Sequence, residues 1–153
     1  MFQPRVILHP TDYSDCASYA FGIAVDLARH YGARLLVLHV ADTLGAEHVT
    51  HGEAVKQRQP AAQQHHLYDE LHRVKAPADS GVAVEHLLKE GDAATVIAAV
   101  AAREPCDLIV MGTYGRNLLS RLLTGSVTQK VSQLTTCPIL TVRMPQPAPG
   151  RVP

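Results

Sequence analysis

The residues best suited to chemistry lie between Gly112 and Ser126, where Gly112-Thr113-Tyr114-Gly115 opens a stretch that Gly125-Ser126 closes. Glycines let a backbone approach a ligand closely and adopt dihedrals that a side chain would forbid. Backbone N–H groups exposed near a helix start are matched to phosphate oxygens. Ser126 adds a hydroxyl donor and Val127 a further backbone N–H. The stretch lacks the lysine and hydroxyl pair of a Walker loop, and its glycines are not spaced as G-x-G-x-x-G. Two glycines three residues apart can equally be turn formers around a sheet. The full pattern, with nine residues between Gly115 and Gly125, is more restrictive.

A second candidate is Thr11-Asp12, followed by Ser14. Asp12 has three available roles: binding a ribose, helping to hold a divalent cation, or capping a helix that begins near Ser14. Arg116 can pair with a phosphate or stay solvated. His48, His51, His65 and His66 stand near Glu47, Glu53, Asp69 and Glu70 without forming H-E-x-x-H or a compact zinc set. No protein-only metal site is expected there. His9 and His39 adjoin apolar runs and read as packing or orienting groups. Cys16, Cys106 and Cys137 are too dispersed for a redox or metal motif, which leaves reduced, mostly buried thiols. No residue set identifies a catalytic centre.

These residues need elements to hold them. Val6-Ile7-Leu8-His9, stopped by Pro10, reads as a buried strand. Ser14 caps the next helix, whose stripe of Ala17, Ala20, Phe21, Ala24, Leu27, Ala28 and Tyr31 ends at Gly32. Leu35 to Val40 is apolar almost throughout, as a strand covered on both faces must be. Residues 42 to 60 are weakly patterned. Helical periodicity returns from Ala61 to Val74, and Val82 to Leu88 gives a third strand. Gly91-Asp92 precedes a helix ended by Pro105; Asp107 to Met111 gives a fourth strand. Val127, Val131 and Leu134 mark one face of a final helix, and Pro138 to Val142 a fifth strand. The alternation predicts an α/β fold, an open, mostly parallel five-stranded sheet with helices on both faces. Such sheets bind ligands beyond the carboxyl ends of their strands, where both candidate segments would lie.

The whole chain constrains the reading further. Its 153 residues suit one domain, expected over 1–143, with a flexible Pro- and Gly-rich tail over 144–153. Fourteen basic residues balance fourteen acidic ones, so a strongly basic nucleic-acid surface is not indicated. Strand-like sequence starts at Arg5 with no secretory signal before it, and no apolar run is long enough to span a bilayer. A cytoplasmic protein with no membrane partner is expected.

With the elements in place, the chain resembles the universal stress protein family, specifically its ATP-binding subgroup. Gly112-Thr113-Tyr114-Gly115-Arg116, Leu119-Ser120-Arg121-Leu122-Leu123 and Gly125-Ser126-Val127 carry the likeness. So do Ile7 to Ser14, His39 to Asp42, Asp107 to Gly112 and Cys137 to Arg143. The likeness covers nearly the whole chain except the middle connection and the tail, and it implies that family's Rossmann-like fold.

The resemblance also implies a site. Thr11 and Asp12 would contact the nucleoside, Val40 the adenine edge, and Met111 and Gly112 the base and ribose. Gly115, Arg116, Gly125, Ser126 and Val127 would surround the phosphates. ATP or another adenine nucleotide is the implied ligand, with Mg2+ or Mn2+ accompanying its phosphates. The likeness further implies a homodimer through the C-terminal strand region, where Ile139, Leu140 and Val142 could cover an open edge. A regulatory or stress-response role leads, with an unidentified protein partner. The alternatives are a weak ATPase or autophosphorylating enzyme, and a nucleotide-independent dimeric interaction protein. Asn117 and Leu118 depart from the small Thr-Gly pair common in the family at this point of the loop.

Overall fold

A computed structural model describes residues 1–41, 61–113 and 126–145. Five strands and four helices alternate: β1 (Val6–Pro10), α1 (Asp15–Tyr31), β2 (Arg34–Ala41), α2 (Ala61–His72), β3 (Val84–Glu90), α3 (Ala93–Arg103), β4 (Leu108–Gly112), α4 (Ser126–Leu134) and β5 (Ile139–Val142). The strands form one sheet in the order β3-β2-β1-β4-β5, and every neighbouring pair is parallel. The expected open sheet with helices on both faces is therefore the observed architecture.

Period-two alternation along each strand divides the core into two layers. Ile7, Leu35, Val37, Leu108 and Val110 face Ala20, Ala24, Val25 and Ala28 of α1 and Leu71 of α2. Leu8, Leu36, Leu38, Ile109 and Met111 face Ala94, Ile97, Val100 and Ala101 of α3 and Val131 of α4. Leu35 to Leu38 are fully buried, which is why this run shows no polar alternation. The alanines on α1 and α3 are short enough to let both helices lie close on the sheet.

Local chemistry sets the helix ends. The Ser14 hydroxyl accepts from Ala17 N at 3.1 Å, and Asp15 stands in the first turn of α1. At the other end Gly32 takes φ 64°, a left-handed position that lets its N–H reach the Ala28 carbonyl. The Asp92 carboxylate caps α3 by accepting from Thr95 N at 3.0 Å. Several boundaries differ from the sequence expectation for tertiary reasons. β3 starts two residues late and runs on to Glu90, because its register follows β2 from Leu35 to Ala41. α2 stops at His72, and the Val74 carbonyl instead accepts from His86 Nε2 at 2.7 Å. Gly112 is the last residue of β4, paired with Val142, rather than the first residue of a loop.

Candidate functional site

β1 and β4 are adjacent at the centre of the sheet, but the chain leaves them toward opposite faces. From β1 it enters α1, on the layer shared with α2; α4 follows β4 on the layer shared with α3. Divergence of this kind opens a crevice at the carboxyl ends of the two strands. Thr11, Asp12, Met111 and Gly112 are brought to that crevice, with Val40 at the end of adjoining β2.

The turn from β1 to α1 is built from side chains bonding to backbone. Thr11 N donates to the Leu38 carbonyl at 2.8 Å, tying the turn to β2. His39 Nδ1 donates to the Thr11 carbonyl at 2.9 Å. Thr11 Oγ1 accepts from Tyr13 N at 3.1 Å, and Asp12 Oδ1 accepts from Ser14 N at 3.0 Å. The helix cap is thus Ser14, and Asp12 shapes the turn before it. Tyr13 takes φ 63°, a left-handed conformation that costs a non-glycine residue roughly 1–3 kcal/mol. The two flanking hydrogen bonds and the Tyr13 ring against His39, 4.5 Å between centroids, hold it there.

His9 stands behind this turn and is fully buried. Its Nδ1 donates to the Val110 carbonyl at 2.9 Å, a bond that joins β1 to β4, and its ring packs on Phe21 at 5.5 Å. Burial pulls the imidazole pKa down to about 4, against the opposing pull of the Val110 carbonyl and the Asp12 charge. The ring is neutral near pH 7. Its Nε2 has no hydrogen-bond partner among the described residues. His9 and His39 both act as the orienting groups that their sequence positions suggest.

The structure also exposes a contact set that sequence reasoning missed. A Cβ added at Gly112 would lie 2.9 Å from Cys16 Sγ and 3.1 Å from the Cys16 carbonyl carbon. Glycine at this position is therefore required by the first turn of α1, whatever the ligand. Thr113 N and Oγ1 both donate to the Val142 carbonyl, at 3.0 and 3.1 Å, and Cys16 Sγ reaches the same oxygen at 3.5 Å. One carbonyl of β5 thus fixes the chain where it leaves β4. No spacing in the sequence pairs residue 16 with 112 or 113 with 142.

Val40 and Met111 belong to the same apolar layer, that of α3 and α4. Thr11 is buried on the other side, beside Ala17 and Phe21 of α1. Gly115, Arg116 and Gly125 lie outside the described residues. Ser126 begins α4, and Val127, in its first turn, is exposed; that turn carries no acidic side chain to offset the positive helix end. Of the histidines weighed as metal ligands, His65 and His66 lie on α2, and His48 and His51 fall outside the described residues. Among the described residues no group of three or more His, Cys, Asp or Glu side chains could hold a metal. No helix among them is long and apolar enough to cross a membrane.

The fold and this crevice can be set against known proteins. The sequence model of the Universal stress protein family matches residues 4–143. A universal stress protein of Thermus aquaticus is 40% identical over 144 residues, covering 91% of this chain and 98% of the relative. The solved structure of the protein MJ0577 superposes with a TM-score of 0.77 at 26% identity, over 96% of this chain and all of the other. The universal stress protein UspA from Lactobacillus plantarum gives a TM-score of 0.69 at 27% identity, over 90% of this chain and 97% of its own. The chain belongs to the universal stress protein family.

Proposed function

We propose that this protein binds an adenine nucleotide, ATP by the pattern of its loop, and acts through that binding in a regulatory or stress-response role. The observation that carries the reading is the pairing of the β1–β4 crevice with a glycine-patterned stretch that runs directly into the start of α4. A helix start without an acidic side chain attracts phosphate through its N–H groups and its dipole. The preference for adenine is supported by the resemblance of residues 7–14, 39–42 and 112–127 to the ATP-binding subgroup of the family.

In this reading Thr11, Asp12, Val40, Met111 and Gly112 form the nucleoside side. Val40 and Met111 offer a shared apolar layer to a base, and Asp12 would meet a ribose hydroxyl or a Mg2+ or Mn2+ ion carried by the phosphates. Gly115, Arg116, Gly125, Ser126 and Val127 form the phosphate side. Residues 1–143 act as one domain, with 144–153 as a tail. A homodimer through the C-terminal strand region is supported by the position of β5 at the sheet edge, where Leu140 is exposed. Binding, rather than turnover, is favoured by the turn itself: one Asp12 oxygen is committed to Ser14 N, and the buried His9 imidazole donates to the Val110 carbonyl.

Thermal denaturation with ATP, ADP, AMP and GTP, each with and without Mg2+, tests the reading. A nucleotide at a hundred times its Kd should add about 2.7 kcal/mol of stability. The adenine nucleotides should produce such a shift, and Gly125→Val should remove it. Absence of any shift, together with no binding by calorimetry, overturns the proposal. Product released in excess over protein, and lost in the same variant, would replace binding by catalysis.

A further inference from the structure

On the α1 side of the sheet, away from Val40 and Met111, a cavity of about 260 Å³ opens between the start of α1 and the chain leaving α2. Thr11, Tyr13, Ala17, Ser18 and Phe21 line it from one side, and Arg73, Val74 and Lys75 from the other. We propose that this cavity is a second ligand site, which takes a small carboxylate with a flat apolar body.

The apolar lining of the cavity is held in place by its neighbours. Phe21 packs on the buried His9 ring, and Tyr13 is held against His39 in its left-handed conformation. Val74 is fixed opposite, because its carbonyl accepts from His86 Nε2 at 2.7 Å. Two aromatic side chains, an alanine and a valine therefore present a preformed surface suited to the face or edge of a ring. The charged part rests on Arg73 and Lys75. Both are exposed, and among the described residues neither forms an ion pair. A guanidinium beside an ammonium matches a carboxylate, with the arginine able to bind both oxygens at once. The Ser18 hydroxyl adds a polar contact.

Size separates this ligand from a nucleotide. The cavity falls below the ~300 Å³ at which pockets for drug-sized ligands begin. A single ring bearing a carboxylate fits that volume. The cavity shares Thr11 with the proposed nucleoside side but uses neither the glycine stretch nor α4.

Benzoate is a suitable probe, with benzamide as its neutral analogue and inorganic phosphate as an anion without a ring. Backbone amide spectra of the full chain should show saturable benzoate shifts at Ala17, Ser18, Phe21 and Val74 in the millimolar range. Benzamide and phosphate should each bind at least tenfold more weakly. The double variant Arg73→Gln, Lys75→Gln replaces two exposed side chains and should weaken benzoate at least tenfold while leaving ATP-induced thermal shifts unchanged. Ser18→Trp should block the cavity and abolish benzoate binding. Non-saturable shifts, equal binding of benzamide or phosphate, or indifference to the double variant would each overturn the proposal. If ATP binding fails while benzoate binds as described, the nucleotide reading falls and this one stands.

Discussion

The two helices that flank the crevice are held in opposite ways. α1 carries a side-chain cap at one end, a left-handed glycine at the other, and six buried residues between them. α4 has nine residues and buries Val131, while Val127 and Leu134 on the same helix are exposed. It has no acidic side chain in its first turn and no basic one in its last. The first helix is fixed by its own sequence and its packing on the sheet. The second is held by Val131 in the core and by its packing along α3, with Val127 and Leu134 left exposed.

The sharpest way to break this contrast is through His9, which supports the α1 wall. Its folded pKa, about 4, lies below the ordinary 6.5, so between those values the unfolded chain binds more protons than the native one. Stability must then rise with pH across that window and be lost on acidification, by up to about 3 kcal/mol. Urea unfolding at intervals from pH 4 to 7 measures the slope, and His9→Val should flatten it. A slope that survives the substitution would move its origin to other groups.

Gly112→Ala should follow in size, destabilising by about 1–3 kcal/mol through overpacking against Cys16. Adding Cys16→Ala should recover part of this loss only, because the Cys16 backbone also lies within 3.2 Å of the new carbon. Full recovery would show that the thiol alone sets the contact. Ser14→Ala should cost about 1 kcal/mol by leaving Ala17 N without its cap. Leu134→Ala on α4 should change stability by less than ~0.5 kcal/mol in dilute protein, as exposed positions do. A larger loss that grows with protein concentration would show α4 covered by a second copy, and would erase the contrast between the helices.

Much of this could be read from residue patterns alone. The nearly continuous apolar run from Leu35 to Val40 suits a strand covered on both faces in a parallel sheet, and Leu35 to Leu38 are buried there. Ser14, Gly32 and Pro105 are local signals because capping and breaking act within a few residues, and they bounded their helices accordingly. The phosphate-binding reading of the stretch from Gly112 to Ser126 rests on residue types and spacing, since most of it lies outside the described residues. The strand ends were less legible. Where β3 begins is decided by its register with β2, fifty residues away in the chain.

The sequence by itself determined the order of elements and their layering, since these follow from short-range periodicity and caps, and its motifs carried the family resemblance. Only the tertiary structure decided why residue 112 must lack a side chain, because the atoms that forbid one belong to Cys16 on a different element. It also decided that the Val142 carbonyl gathers Thr113 and Cys16, and that Phe21, Tyr13 and Val74 enclose a cavity with two cations at its side. Contacts of this kind depend on distances closed by folding, and no local pattern encodes them.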